Sequence, residues 1–240
     1  MGSFLAGGLA SQRGPCFTRA MAGALTLVLE TSTPHASIAL AGPDGVLEQR
    51  GFCSDRNHNA LLFEPLRELL HGHRDEIGLV LVGSGPGSYS GTRVGIAAAQ
   101  GVAIALGCPA VAVPSLLAVP SAAGGAECLA IGDARRGSYW TALGNEIPVL
   151  TDAAGLESAV SRAIHSGFPV FSFESPERFS LPEPLAGRVV LEFPDATGLW
   201  QAWSASAVQA RCKWSAEIPQ PLYLKPPHIT PGKRTSLVRP

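Results

Sequence analysis

The chain has 240 residues, with 19 acidic against 18 basic side chains, a formal net charge of −1, and 46% hydrophobic residues. That is enough chain for one large domain or two lobes around a sizeable core. So even a charge balance excludes charge-driven binding of the whole surface to nucleic acid or to an anionic membrane. Five cysteines, odd in number and without a CxxC pair, argue for reduced thiols in a cytoplasm rather than a disulfide framework, and no stretch reaches the roughly 18 apolar residues needed to span a bilayer.

Residues 1–24, rich in Gly, Ala and Ser, read as a flexible extension, too glycine-broken for a secretory signal, with Met21 as an alternative start. Leu25–Glu30 and Ala36–Ala41 predict a strand pair around the hydroxyl-rich turn Thr31-Ser32-Thr33-Pro34, and Val46–Phe52 predicts a third strand. Glu30 has two readings: a strand end in contact with solvent, or an acid that helps hold a metal–phosphate group. Asn59–Gly72 predicts a helix with Leu62, Leu66 and Leu69 on one face, Pro65 limiting its early turns and Gly72 at its C-cap. His58, His71 and His73 form no H-x-x-x-H pattern, so no metal site is read here.

Leu79–Gly107 combines a β-branched run, a glycine-rich turn and an alanine-rich amphiphile, which predicts a strand, a loop and a helix over Thr92–Leu106. Gly85, Gly87 and Ser88 at a helix N-terminus could cradle a phosphate through backbone N–H groups. They could equally make a tight connection, with Ser90 near the cap. The loop lacks the Lys-Ser/Thr end of a P-loop and does not fit GxGxxG, and Arg93 is its only positive charge. The helix is small-sided, with Gly95, Ala98 and Gly101 among its glycines and alanines, so close packing against another helix is expected, in this chain or in a partner.

Pro109–Val113 predicts a short strand, and Ala122–Gly125 marks a lobe boundary. Cys128–Ile131 and Ser138–Leu143 then flank a turn carrying Asp133, Arg135 and Arg136, a second strand–turn–strand unit like the first. Asp133 either bonds its own turn or supplies a second acid to a nucleotide site. Leu156–His165 predicts a helix, Pro169–Phe173 and Val189–Phe193 predict strands, and Thr197–Cys212 predicts one helix whose Trp200 and Trp203 are core or interface anchors. Residues 227–240 form a basic, solvated tail.

The stretches LVLETSTPHASIAL, GSGPGSYSGTRVGIAAAQG, IGDARRGSYWTAL and PLYLKPP resemble, in order and spacing, those of the TsaB (YeaZ) family of tRNA threonylcarbamoyladenosine biosynthesis. The chain differs in carrying Glu30 where that family usually has Asp. The resemblance implies an α/β, two-lobed actin-like ATPase (ribonuclease H-like) fold of mixed sheets with flanking helices, with an N-terminal lobe at 25–121 and a degenerate C-terminal lobe at 122–226. It implies a non-catalytic scaffold that pairs with a TsaD-like catalytic subunit, helps recruit a TsaE-like ATPase, and meets tRNA only indirectly. It also implies self-association through the same helices, no tightly bound cofactor, and ATP or ADP at most at a subunit interface.

On this reading the interface draws on Leu62, Leu66, Leu69, Arg93, Gly95, Ala98 and Val102. A vestigial nucleotide site draws on Glu30, Thr31, Ser32, Gly85, Gly87, Ser88 and Asp133. The competing reading is an ATP-binding actin-like transferase or ATPase that acts by itself through the second set.

Overall fold

The computed structural model describes residues 25–53 and 58–224; the expected extension at 1–24 and tail at 227–240 lie outside the described residues. The chain divides into two compact units, one of residues up to Glu127 together with Glu192–Pro221, the other chiefly Cys128–Leu191.

In the first unit, β1 (Leu25–Glu30), β2 (His35–Gly42), β3 (Gly45–Cys53), β4 (Ile77–Gly83) and β5 (Ala110–Val113) form one sheet in the order β3-β2-β1-β4-β5. The first three strands are an antiparallel meander, and β4 and β5 join parallel to β1. Central strands that are apolar on both sides require cover on both faces. On one face, Leu27, Leu29, Ile38, Val80 and Val82 pack against α1 (His58–His73) and α2 (Tyr89–Leu106). On the other, Val28, Ala39, Leu79, Leu81 and Val113 meet α5 (Ala196–Ala205) and Trp214 of α6 (Val208–Ala216). α1 runs unbroken past Pro65, which lacks the N–H that would bond the Leu61 carbonyl. Gly72 lies inside that helix rather than at its cap.

The second unit holds β6 (Leu129–Asp133), β7 (Tyr139–Leu143), β8 (Val149–Thr151), α3 (Ala153–His165), β9 (Val170–Ser172), α4 (Glu183–Ala186) and β10 (Val189–Leu191). Its sheet runs β10-β9-β6-β7-β8. β6, β7 and β8 form the antiparallel meander, and β9 and β10 add parallel to β6. Each unit therefore repeats one topology, a three-stranded meander extended by two parallel strands on the side of its first strand. This is the ribonuclease H-like plan, present twice as in actin-like ATPases. α3, capped by Asp152, lays Leu156, Val160 and Ala163 on Leu129, Ile131 and Val170.

Two larger expectations are also corrected. The lobe expected at 122–226 loses Glu192–Pro221 to the first unit, because Ala196, Leu199 and Trp203 are buried against that unit's sheet and the Ala196 amide donates to Ser37 Oγ at 2.8 Å. The helix expected over Thr197–Cys212 is two helices, since Ser206 and Ala207 are extended and Ser206 Oγ bonds back to the Ala202 carbonyl at 2.6 Å. Apolar spacing reports a buried stripe but not which sheet buries it. β8 was not anticipated: it is three residues long beside Pro148, and its Val149 and Leu150 are exposed, so no alternation marks it.

Candidate functional site

The turn after β1 and the loop before α2 close on each other. Glu30, Thr31 and Ser32 are fully buried. Thr31 Oγ1 donates to the Gly91 carbonyl at 2.8 Å, and the Ser88 amide donates to the Ser32 carbonyl at 2.6 Å. Side chains at Gly91 and Gly95 would overlap the Thr31 carbonyl and hydroxyl respectively, and one at Gly87 would overlap the Ser32 carbonyl. The glycines on this side of α2 thus let the helix lie against the turn of its own unit, where the sequence suggested a second helix. The cap is Ser88 rather than Ser90: its hydroxyl accepts from the Gly91 amide at 3.2 Å and its carbonyl from the Thr92 amide at 3.0 Å, so α2 starts at Tyr89.

Glu30 is a buried acid and not a solvent-contacting strand end. Its Oε1 accepts from the Ser32 amide at 2.7 Å, whereas Oε2 and the Ser32 hydroxyl find no hydrogen-bond partner of good geometry among the described residues. Gly83 leaves room for the carboxyl, since any side chain there would collide with Oε2. Burial pushes the Glu30 carboxyl above its ordinary value, against the weaker opposing pull of the surrounding polar groups of Ser32, Ser115 and Thr31. Desolvation wins, which favours the neutral acid. Ser115, unremarked in the sequence, ties the loop from below: it accepts from the Gly85 amide through Oγ and donates its own amide to the Gly85 carbonyl, each at 3.0 Å.

A phosphate held through the loop amides would compete with bonds already made within the unit. The amides of Gly85, Ser88, Gly91 and Thr92 are already bonded within the unit. A buried carboxyl occupies the crevice, and Arg93 is turned outward, donating to the Tyr89 hydroxyl at 2.5 Å and lying 5.0 Å over its ring. Asp133, the remaining member of the expected set, belongs to the second unit and bonds its own turn. It accepts from the Arg135 amide at 2.7 Å and pairs with the Arg135 guanidinium at 3.3 Å, while its amide donates to Glu174 Oε2 at 2.7 Å. Among the described residues no three His, Cys, Asp or Glu side chains gather as a metal-ligating group, and no helix is long and apolar enough to cross a membrane.

Among the described residues of the first unit, a groove of about 520 Å³ opens between α1 and α2, floored by Phe63, Leu66, Leu70, Val102, Ala105 and Leu106. Beside it the outer face of α2 is open among the described residues: Ala97, Gly101, Ile104 and Ala105 are exposed at helical spacing, Ile104 by 83%, and a methyl group at Gly101 would meet no described atom within 4 Å. Of the residues expected at an interface, Leu62, Leu69, Gly95 and Ala98 are in the unit's own core. Leu66 is buried in the same core but also reaches the groove, Val102 lines it, and Arg93 is exposed. The outward residues were missed because α2 is small-sided all round. Gly91, Gly95 and Ala99 on the inner face look no different in sequence from Ala97, Gly101 and Ala105 on the outer.

Residues 53–212 match the family model described as tRNA N6-adenosine threonylcarbamoyltransferase, TsaD. The chain is 31% identical over 122 residues to the tRNA threonylcarbamoyladenosine biosynthesis protein TsaB of Escherichia coli, covering 48% of this chain and 52% of that protein. It is also 31% identical over 122 residues to TsaB of Bacillus subtilis, covering 49% and 53%. The matched part of the chain thus spans about half the length of these relatives. In structure it resembles YeaZ from Pseudomonas aeruginosa, with a TM-score of 0.57 and 22% identity over 84% of this chain and the whole of that one, a likeness of fold.

Proposed function

The chain belongs to the tRNA N6-adenosine threonylcarbamoyltransferase family, on its TsaB/YeaZ branch, and from that premise we propose that it is a non-catalytic pairing subunit in the biosynthesis of threonylcarbamoyladenosine on tRNA. It docks a TsaD-like catalytic subunit on α1 and α2, and the pair engages a TsaE-like ATPase. The observation that carries this reading is the contrast within one unit. The glycine turn that would serve a nucleotide is closed by its own hydrogen bonds around a buried acid, while the helix behind it turns an uncharged, small-sided apolar face outward. Small residues at the crossing point let helix axes come close and bury backbone as well as side chains.

On this reading the partner meets Phe63, Leu70, Ala97, Gly101, Ile104 and Ala105, with Val102 and Arg93 kept from the expected set. The chain contributes apolar surface and shape and no reacting group; any nucleotide belongs to the assembled complex. The test is reconstitution. Threonylcarbamoyladenosine should form on tRNA only when this chain is added to the TsaD-like and TsaE-like proteins, and titration of ATP–Mg into the chain alone should give no heat of binding. Product formation without the chain, or micromolar ATP binding by it in isolation, overturns the reading.

A further inference from the structure

Taking the role in tRNA modification above as its premise, we infer that the chain from α6 onward is a cationic arm that contacts the tRNA phosphate backbone directly, beyond the indirect contact that the family resemblance implies. The even overall charge conceals an uneven distribution. From Ala196 to Pro240 the sequence carries six basic residues, Arg211, Lys213, Lys225, Lys233, Arg234 and Arg239, against one acid, Glu217, whereas residues 1–195 carry 12 basic and 18 acidic. The larger part of the chain repels a polyanion, and this end attracts one.

The basic character begins within the described residues. α6 buries no side chain fully, and it carries Arg211 and Lys213 with no acid. Arg211 lies 5.8 Å over the Trp203 ring, whereas Lys213 is exposed. The acids just before α5 are already engaged. Glu192 accepts from the Ser121 amide and hydroxyl at 3.1 and 2.9 Å, and Asp195 caps α5 by accepting from the Gly198 amide at 2.6 Å. Beyond α6 the chain is pinned where Gln100 Nε2 of α2 donates to the Pro219 carbonyl at 3.0 Å, six residues before Lys225. The cations that follow are therefore tethered to the first unit, which gives them a high effective concentration toward an RNA held by the same complex. Clustered cations with almost no acid among them suit a ligand that repeats a negative charge along its length. Such contacts position a nucleic acid without reading its sequence.

The experiment titrates a tRNA transcript, at several salt concentrations, into the full chain paired with its TsaD-like subunit. Three forms are compared: the native chain, the neutral Lys213→Gln/Lys225→Gln/Lys233→Gln/Arg234→Gln/Arg239→Gln, and the charge-keeping Lys213→Arg/Lys225→Arg/Lys233→Arg/Arg234→Lys/Arg239→Lys. Circular dichroism checks the fold, and light scattering checks pairing. Expected is unchanged pairing for all three, tRNA affinity about tenfold or more weaker for the neutral form near 0.1 M salt with a shallower salt slope, and native-like binding for the charge-keeping form. In product formation the neutral form should raise KM for tRNA and leave kcat unchanged. Equal tRNA affinity and equal salt slope for native and neutral forms overturn the inference and leave the premise standing. A neutral form that folds but no longer pairs overturns it as well, because the arm then serves a protein partner. So does charge-dependent binding of phosphatidylserine vesicles with no effect on tRNA. If the native chain does not pair at all, the premise fails, and the same titration on the chain alone decides the arm.

Discussion

Two glycines of α2, alike in sequence, have opposite surroundings. A methyl group at Gly95 would overlap the Thr31 hydroxyl, which is itself bonded to the Gly91 carbonyl, whereas one at Gly101 would touch none of the described residues. Gly95→Ala should therefore destabilise the chain by about 1–3 kcal/mol through overpacking, and Gly101→Ala should stabilise it by about 0.5–1 kcal/mol through backbone entropy; urea midpoints distinguish the two. Equal and same-sign shifts would mean that the inner and outer faces are misassigned.

Glu30 gives a second prediction, in pH. Its carboxyl is raised above the ordinary 4.5 by burial, so the folded state holds the proton more tightly than the unfolded one. The resulting stability is complete below the unfolded value and is lost as pH rises through the folded value. Glu30→Gln keeps the shape and one donor while removing the titration. It should fold, and its melting temperature should not show that decline above about pH 4.5, where the native protein does; parallel curves would contradict the buried acid. The sequence marked Glu30 as chemically interesting but left its burial undecided, because a strand-end acid and a core acid have the same local neighbours. The decisive contact comes from Gly83 and Ser115, far along the chain.

At the scale of elements, β1, β2, β4 and α2 were legible because each carries a period and its own punctuation, as in Gly107, which ends α2 at φ 67°. The assignment of α5 and α6 was not legible: a stripe of Leu199 and Trp203 fits either sheet, and the choice is made by packing on Val28, Ala39 and Leu81. A chain ending after Leu191 loses both helices and exposes that face of the first sheet. It should express as aggregated or molten protein, with loss of near-ultraviolet dichroism. A truncated chain with native-like near-ultraviolet signal and cooperative melting would show that α5 and α6 are peripheral. Ser115 and the outer residues of α2 were missed for a related reason. Their significance lies in what surrounds them, closed backbone in one case and open space in the other.

At the scale of the whole molecule, the same strand plan appears in both units, and the repeat was visible in sequence as two strand–turn–strand motifs, each with an acid at its tip. The motifs have taken different courses. In the first unit the acid is buried under a glycine loop. In the second, Asp133 is partly exposed in a turn where Arg135 and Arg136 take positive φ, a conformation that costs about 1–2 kcal/mol per residue. The exposed apolar surface of the first unit includes the outer face of α2 and the groove beside α1.

The central claim is that this helix face is where the molecule pairs. The direct measurement is the mass, by light scattering, of the full chain mixed with its TsaD-like subunit, for the native sequence and for Gly101→Trp. The indole would stand on the exposed face of α2, beside Ala97, Ile104 and Ala105. The account predicts a stable native complex and none with Gly101→Trp, whose dichroism and melting remain native. A complex of undiminished affinity with the tryptophan in place would contradict it.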